Sequence, residues 1–451
     1  MARDRKRGNT TRSRSWVPAV IEMAVVVVAA ALVVALCVWS QGPATTSVTH
    51  IDPRWPGWGF THTQFSADTG DPRAVADAEG AIKKAPLIQA QAIMGWGVDN
   101  PEPAPGQYDF ESLDRRMAFI RASGGMPVIV LCCAPDWMRG GQPGETDWAR
   151  LEDAPSADHF KDFAALSAAV AKRYPYVRHF LVWNEFKGFY DDRRHRWDAP
   201  AYTALYNSVY RAVKAVDPAN QVGGPYLDFT TKQVDSNSDS SQLRGPWGEV
   251  NEQAAQAFEY WNMYRAGADF VAVDAHATVA NNRSDEFGSL QQFAAVNEWL
   301  RMRVNVPIWW PEWYVAPGPA DWSSDHQIAL RVAAMIELAT SGADTILYWN
   351  PRPSGATCAE CLWTDTWGPD GGLALPLLQI LQRLAQWFPP SSPRRKVFVA
   401  EGLMAMVNDA GEEVVVNTTN RTVEAVVDGR TMQWSAYQVN WLTPQQRSQA
   451  R

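Results

Sequence analysis

The chain has 451 residues, 41 Lys and Arg against 49 Asp and Glu, a net charge of −8 at pH 7, and a composition that is 46% hydrophobic and 20% charged. That composition excludes a disordered chain, which needs few apolar residues and dense charge, and a polytopic membrane protein, because a single stretch is apolar enough to span a bilayer. The length suits one large barrel with a small extra domain, or two to three ordinary domains.

Residues 1–22 form a basic tail in which Arg3, Arg5, Lys6, Arg7, Arg12 and Arg14 outnumber Asp4 and Glu22. Residues 23–39, MAVVVVAAALVVALCVW, carry no charge and predict a transmembrane signal-anchor. The basic flank keeps the N-terminus cytoplasmic and sends the rest outward. The alternative is a cleaved signal peptide, whose apolar core would be shorter, about 7–15 residues, and would end in a small-x-small site. Residues 40–54, rich in Thr, Ser and Pro, read as a linker. Stripped of its basic tail the body is strongly acidic, a poor partner for a nucleic-acid backbone.

From residue 55 to 390 short apolar runs alternate with amphipathic helical patterns. The runs are Trp58–Thr61, Ala92–Trp96, Pro127–Cys132, His179–Trp183, Val222–Gly224, Phe270–Asp274, Pro307–Trp310 and Thr345–Trp349. Between them lie helical stretches such as Ser112–Ala122, Ala157–Arg173, Ala199–Val216, Asn251–Arg265, Ser289–Arg303 and Asp325–Thr340, with Gln379–Trp387 closing the series. Repeated strand–helix units predict a parallel sheet, and this many units over this length predict a (β/α)8 TIM barrel in the α/β class. No glycine-rich phosphate loop follows any run, so nucleotide binding has no support. Residues 391–445 change texture: Lys396–Ala400, Leu403–Val407, Glu413–Asn417, Val423–Val427, Thr431–Trp434 and Gln438–Leu442 are short β-like runs. Asn408–Gly411 and Asp428-Gly429 supply turns. They predict a small C-terminal antiparallel β-sandwich, to which a strand within residues 45–55 could contribute.

Five Cys are too few for a disulfide scaffold. Cys132 and Cys133 read as core thiols. Cys358 and Cys361 form a Cys-x-x-Cys pair; a local disulfide fits it better than a zinc site, which lacks two further ligands, or a redox motif, which would open a helix.

In a barrel, chemistry sits where strands end. The fourth run ends Trp183-Asn184-Glu185-Phe186 and the seventh ends Trp310-Pro311-Glu312-Trp313-Tyr314. One Glu at a strand end often only caps a helix or pairs with an Arg. Two, on strands that can aim at one point, with Asn before the first, point to catalysis. Two carboxyl groups about 5–5.5 Å apart are what retaining glycoside hydrolysis uses. One must be protonated and the other ionised, and mutual repulsion with an apolar wall separates their affinities for a proton. The 22 Trp suit the same chemistry, since a flat apolar ring with one N–H stacks on a sugar face, although large cores use Trp as well.

The chain resembles clan A of the glycoside hydrolases, and family 39 in pattern. Asn184-Glu185 and Glu312 match that clan's paired strand ends. Trp96-Gly-Val-Asp-Asn-Pro-Glu102 through Phe110, with Leu113-Asp114, is similar to the family's second-strand signature; Gly59–His62 is similar to its first strand end and Ala134–Trp137 to its third. The resemblance implies that Glu185 is the general acid/base, Glu312 the nucleophile and Asn184 a partner for the sugar 2-hydroxyl. It implies a carbohydrate substrate touched by His62, Trp96, Trp137, Tyr226, His276, Trp313, Tyr314 and Trp349, β-linked if family 39 is followed. His276 would orient Glu312 or a sugar hydroxyl. Relatives often place a Tyr two residues later, where this chain has Thr278, so Tyr226 or Tyr314 is expected to take over that contact. No metal or organic cofactor is expected. The alternatives are a transglycosylase and a non-catalytic sugar-binding component of envelope polysaccharide assembly. Behind an anchor, such an enzyme would work outside the cytoplasmic membrane.

Overall fold

Seven of the eight apolar runs coincide with barrel strands, and each of the eight strands is followed by a helix. The computed structural model describes residues 55–63, 67–94, 99–232, 241–279, 285–315, 322–351, 358–427 and 429–444. Its strands are β1 (Trp58–Thr61), β2 (Ile88–Ala92), β3 (Met126–Leu131), β4 (His179–Val182), β5 (Gln221–Asp228), β6 (Phe270–Asp274), β7 (Ile308–Trp310) and β8 (Thr345–Trp349). They pair in sequence order, all parallel, and β8 returns to β1 with Thr61 opposite Trp349, closing the barrel. The helices are α1 (Pro72–Ile82), α2 (Glu111–Ala122), α3 (Phe160–Arg173), α4 (Ala199–Val216), α5 (Glu252–Tyr264), α6 (Gln291–Arg301), α7 (Ser324–Thr340) and α8 (Pro376–Trp387). The basic tail, the apolar run 23–39, the linker and residue 96 lie outside the described residues. Among the described residues no helix is long and apolar enough to cross a membrane.

The second strand is Ile88–Ala92 rather than Ala92–Trp96. Its alternation is hidden because Gln89 and Gln91 are fully buried polar residues. Gln89 is satisfied there, donating to the Ser123 hydroxyl at 2.9 Å and meeting His62 Nε2 at 2.9 Å. Helix α1 was not expected from the sequence, since its buried face is only Ala74, Ala78, Ala81 and Ile82. An Asp71 side chain caps it through the Arg73 and Ala74 N–H groups, and Pro72 occupies its first turn.

The end of the barrel where strands begin is plugged by aromatics. Trp309 stacks on Phe270 at 3.9 Å and on Trp55 at 5.2 Å, with His179 beside both. Much of the tryptophan therefore serves the core. Trp58, Trp183, Trp261, Trp310, Trp313, Trp363 and Trp434 are all fully buried, which limits the sugar-stacking expectation drawn from their number.

After α8 the chain forms β9 (Arg394–Phe398), β10 (Leu403–Asn408), β11 (Glu413–Asn417), β12 (Val423–Val427), β13 (Arg430–Trp434) and β14 (Val439–Leu442). Strands β9, β10, β11 and β14 make one antiparallel sheet, and β12 and β13 a separate ribbon. Strand alternation splits the sheet's side chains. Met406, Val414 and Val416 join the barrel core, while Leu403, Ala405, Val415 and Leu442 pack with Val423, Ala425 and Trp434 of the ribbon. Polar ties reinforce the first face: Arg394 donates to the carbonyls of Ala339 and Ala343, and Lys396 meets Glu337 of α7 at 2.5 Å.

Cys358 and Cys361 are disulfide-bonded, as expected. Cys132 and Cys133 are not free core thiols: they are bonded to one another at the end of β3, both buried. Adjacency and shared burial leave the two sulfurs no nearer partner than each other.

Candidate active site

Immediately after β4 the backbone leaves extended conformation. Trp183, Glu185 and Phe186 have φ of 68°, 49° and 55°, a region that side-chain-bearing residues seldom occupy and that persists where surrounding packing enforces it. The packing is on either side of Glu185. The Trp183 indole is buried and donates to the Lys187 carbonyl at 2.8 Å, and Phe186 stacks on Tyr202 at 3.9 Å. The two rings lock the turn and leave the Glu185 carboxyl aimed at the barrel mouth. Lys187 Nζ lies 2.8 Å from Glu185 and 2.8 Å from Glu152, so one ammonium bridges two carboxylates. Asn184, 1% exposed, has a buried amide oxygen with no hydrogen-bond partner among the described residues.

Glu312 follows β7 and is 4% exposed. The preceding Pro311 carbonyl accepts from the Thr61 hydroxyl at 2.6 Å, tying this strand end to β1. Two phenols hold the carboxylate. Tyr226 donates to Oε2 at 2.7 Å and Tyr314 donates to Oε1. Tyr226 reaches it because β5 carries a bulge: Pro225 pairs with Ala272 and Leu227 with Val273, leaving Tyr226 as the extra residue at φ 54°. A bulge re-aims a side chain in this way. Alternation along Glu312-Trp313-Tyr314 sends the Trp313 ring away, into the core against Phe293 and Tyr348.

The two glutamates converge, and a third carboxyl joins them. One oxygen each of Glu185, Asp274 and Glu312 lie within 4.8 Å of one another. Asp274 is the last residue of β6 and was read from sequence only as a strand residue; its signal was an acidic side chain ending an otherwise apolar strand. Lys187 was likewise missed, although it stands two residues from Glu185. Three carboxyl groups at this spacing could also hold a cation, but the Lys187 ammonium already supplies a positive charge at Glu185 and two hydroxyls already serve Glu312.

Charge is unevenly shared. Burial and the neighbouring Glu185 push Glu312 up to about 8, against the pull of the two tyrosine donors and Lys187. Burial acts the same way on Glu185, but the hydrogen bond with Asp274 and the Lys187 ammonium outweigh it and hold Glu185 below the usual range. Burial, together with the charges of Glu185, Asp228 and Glu312, raises Asp274 well above the carboxylate range.

The remaining expected residues divide. His276 does not reach Glu312 directly. Its Nε2 meets the Val315 carbonyl at 3.1 Å and its ring lies 5.3 Å from that of Tyr314, so it braces the tyrosine that holds Glu312. Trp349 is half-buried at the end of β8, beside Thr61. His62 is not at the mouth. It is 1% exposed, enclosed by Phe60 and Phe119, bonded to Gln89, and lowered to about 4 by burial, which makes it a neutral packing residue. Trp137 and Trp313 are buried too; the Trp137 N–H is spent on the Glu102 carbonyl at 2.9 Å. Neither indole offers a free face, and Trp96 lies outside the described residues.

No protein-family profile matches the chain, and no curated protein matches it. Solved structures share its architecture. SrfJ from Salmonella typhimurium matches with a TM-score of 0.54 and 14% identity, over 86% of this chain and 87% of that one. A monomeric β-xylosidase from Caulobacter crescentus matches at 0.51 and 18%, over 80% and 73%. A glycoside hydrolase family 39 enzyme from Xanthomonas axonopodis pv. citri matches at 0.50 and 16%, over 80% and 71%. At these identities the likeness is one of fold, the closed eight-stranded parallel barrel.

Proposed function

We propose that the chain is a retaining glycoside hydrolase acting on a carbohydrate by double displacement. The observation that carries this is the approach of one carboxyl oxygen of Glu185 and one of Glu312 to within 4.8 Å at the mouth of the barrel. Retaining enzymes use about 5–5.5 Å between carboxyl groups, whereas inverting enzymes leave about 6.5–9.5 Å for a water. The fold, shared with solved glycosidases, supports the same reading.

The roles follow from surroundings. Glu312 is fixed by hydrogen bonds to both oxygens, which suits an atom that must meet the anomeric carbon along one line. Glu185 is the more accessible of the two, with 17% of its side chain exposed, and a group that exchanges protons with leaving group and water needs that access. In the first step a Glu312 oxygen bonds to the anomeric carbon while the leaving oxygen takes a proton through Glu185. In the second, water gives its proton to Glu185, its oxygen bonds to the same carbon, and the ester to Glu312 breaks. Burial and the charge of Glu185 together hold Glu312 up, so protonation of Glu185 removes the second of these and favours ionisation of the nucleophile. Asn184, whose amide oxygen is unspent, is placed to meet a sugar hydroxyl.

The substrate we propose is an extracytoplasmic polysaccharide or oligosaccharide. The uncharged run at residues 23–39, preceded by a basic tail, supports this as the signature of a signal-anchor. Separate Glu185→Gln and Glu312→Gln variants, assayed on aryl glycosides and envelope polysaccharides, test the site. Loss of at least about a thousandfold in kcat is expected for Glu312→Gln. Equal turnover by wild type and both variants would refute the assignment. Larger oligosaccharides among the products would identify sugar, rather than water, as the acceptor.

A further inference from the structure

The hairpin that follows the Glu185 turn borders a cavity that the two-glutamate scheme does not use. Tyr190 pairs with Trp197 and Asp191 with Arg196 in an antiparallel ribbon, and the chain then enters α4 at Ala199. Helix α5 supplies the facing wall. The pocket holds about 340 Å³ and is lined by Arg196, Trp197, Gln253, Gln256, Ala257 and Tyr260 among others. That volume lies within the roughly 300–1,000 Å³ of small-ligand sites. Both helices start where barrel strands end, so the pocket belongs to the end of the barrel that carries the carboxyl cluster, yet no residue of that cluster lines it.

Its walls are fixed by local hydrogen bonds. The Asp191 carboxylate accepts from the Arg193 and Arg194 N–H groups at 3.0 and 3.2 Å and pairs with the Arg194 guanidinium at 3.2 Å. The Asp198 carboxylate caps α4 through the Ala201 N–H at 3.0 Å. Gln253 Nε2 donates to the His195 carbonyl at 2.8 Å, tying the hairpin to α5. The Phe186 and Tyr190 rings cross that of Trp197 at 6.0 and 5.3 Å. Both carboxylates at the pocket are thus spent on their own turn and helix. Arg196 is exposed and meets no carboxylate among the described residues.

We propose that this pocket binds a carboxylate-bearing sugar, a uronate unit of a glycan. A guanidinium is a planar fork that meets a carboxylate through two parallel N–H···O bonds. Trp197 and Tyr260, both half-buried, supply flat apolar rings with a polar handle, suited to the C–H face of a sugar. The Gln256 amide offers donors and an acceptor for hydroxyls. Charge separates the pocket from the barrel mouth. Glu185, Asp274 and Glu312 crowd the mouth, so an acidic sugar is disfavoured there and attracted to Arg196. Binding here needs no turnover and stands or falls apart from the glycosidase reading.

Titration calorimetry of the full chain with tetragalacturonate and its methyl ester tests this, because the ester keeps the shape and loses the charge. Wild type should bind the acid at least about tenfold more tightly than the ester, the size of a charge-assisted hydrogen bond, and the acid should bind more weakly as salt rises. Arg196→Gln should lose that preference and bind acid and ester alike. Tyr260→Ala should weaken both ligands by about fivefold. A third measurement needs no variant. Tetragalacturonate should shield Arg196 from phenylglyoxal, as mapped by peptide mass spectrometry, and the ester at the same concentration should not. No binding of the acid, equal binding of acid and ester by wild type, or acid binding left intact by both substitutions would overturn the proposal. So would an Arg196 that is modified at the same rate with and without the acid.

Discussion

Glu312 shows how a reactive group lowers the stability of the fold that holds it. Its carboxyl is about 8 in the folded chain against an ordinary 4.5, so between those values the folded state binds more protons than the unfolded one. Stability must then fall as pH rises through that window. Glu312→Gln removes the titration. We expect the variant to gain on the order of 2 kcal/mol over wild type by pH 8, and little or nothing near pH 4.5. Urea denaturation across that range checks it; a gain independent of pH would mean that Glu312 stays ionised when folded. The proposed pair of glutamates was legible because Asn184-Glu185 and Glu312 end apolar runs. Asp274 was not, because an Asp closing a strand is indistinguishable in sequence from one that caps a loop. His62 and Trp137 were misplaced for a related reason: proximity to a strand end does not reveal which way the side chain turns.

Glycines set the register of whole elements. A Cβ on Gly59 of β1 would come within 1.9 Å of the Ile88 carbonyl oxygen of β2, whereas a Cβ on Gly80 of α1 would meet nothing within 4 Å. Gly59→Ala should therefore force two barrel strands apart and cost about 3 kcal/mol, while Gly80→Ala should stabilise by about 0.5–1 kcal/mol through helix propensity. Denaturant midpoints of the two variants should move in opposite directions; movement in the same direction would contradict this placement of β1 and β2. The same property shortened β5 in the sequence: the run Val222–Gly224 was expected, and the strand is Gln221–Asp228. Gly223-Gly224-Pro225 looks like a strand breaker, but a Cβ on Gly223 would lie 2.1 Å from the Phe270 ring and one on Gly224 2.8 Å from Tyr206. Close packing demanded the glycines, and the strand runs on through them to Tyr226 and Asp228. The part of the strand beyond the expected run thus carries the bulge that delivers a phenol to Glu312.

At the scale of the molecule, alternation of strand and helix was the strongest signal, and it yielded the barrel. Tryptophan number was a weaker guide, because a barrel floor and its helix layer consume indoles for packing before any reach a sugar. The division of labour is spatial. Aromatic residues seal the end where the strands begin, and titratable groups gather where they end. The double displacement proposed above requires a covalent intermediate on Glu312. Incubating the protein with a panel of 2-deoxy-2-fluoro glycosides and mapping the adduct by peptide mass spectrometry tests it. The expected result is one glycosyl ester, on the peptide containing Glu312 and absent from Glu312→Gln; a sugar that is turned over yet leaves its label elsewhere, or nowhere, would contradict the account.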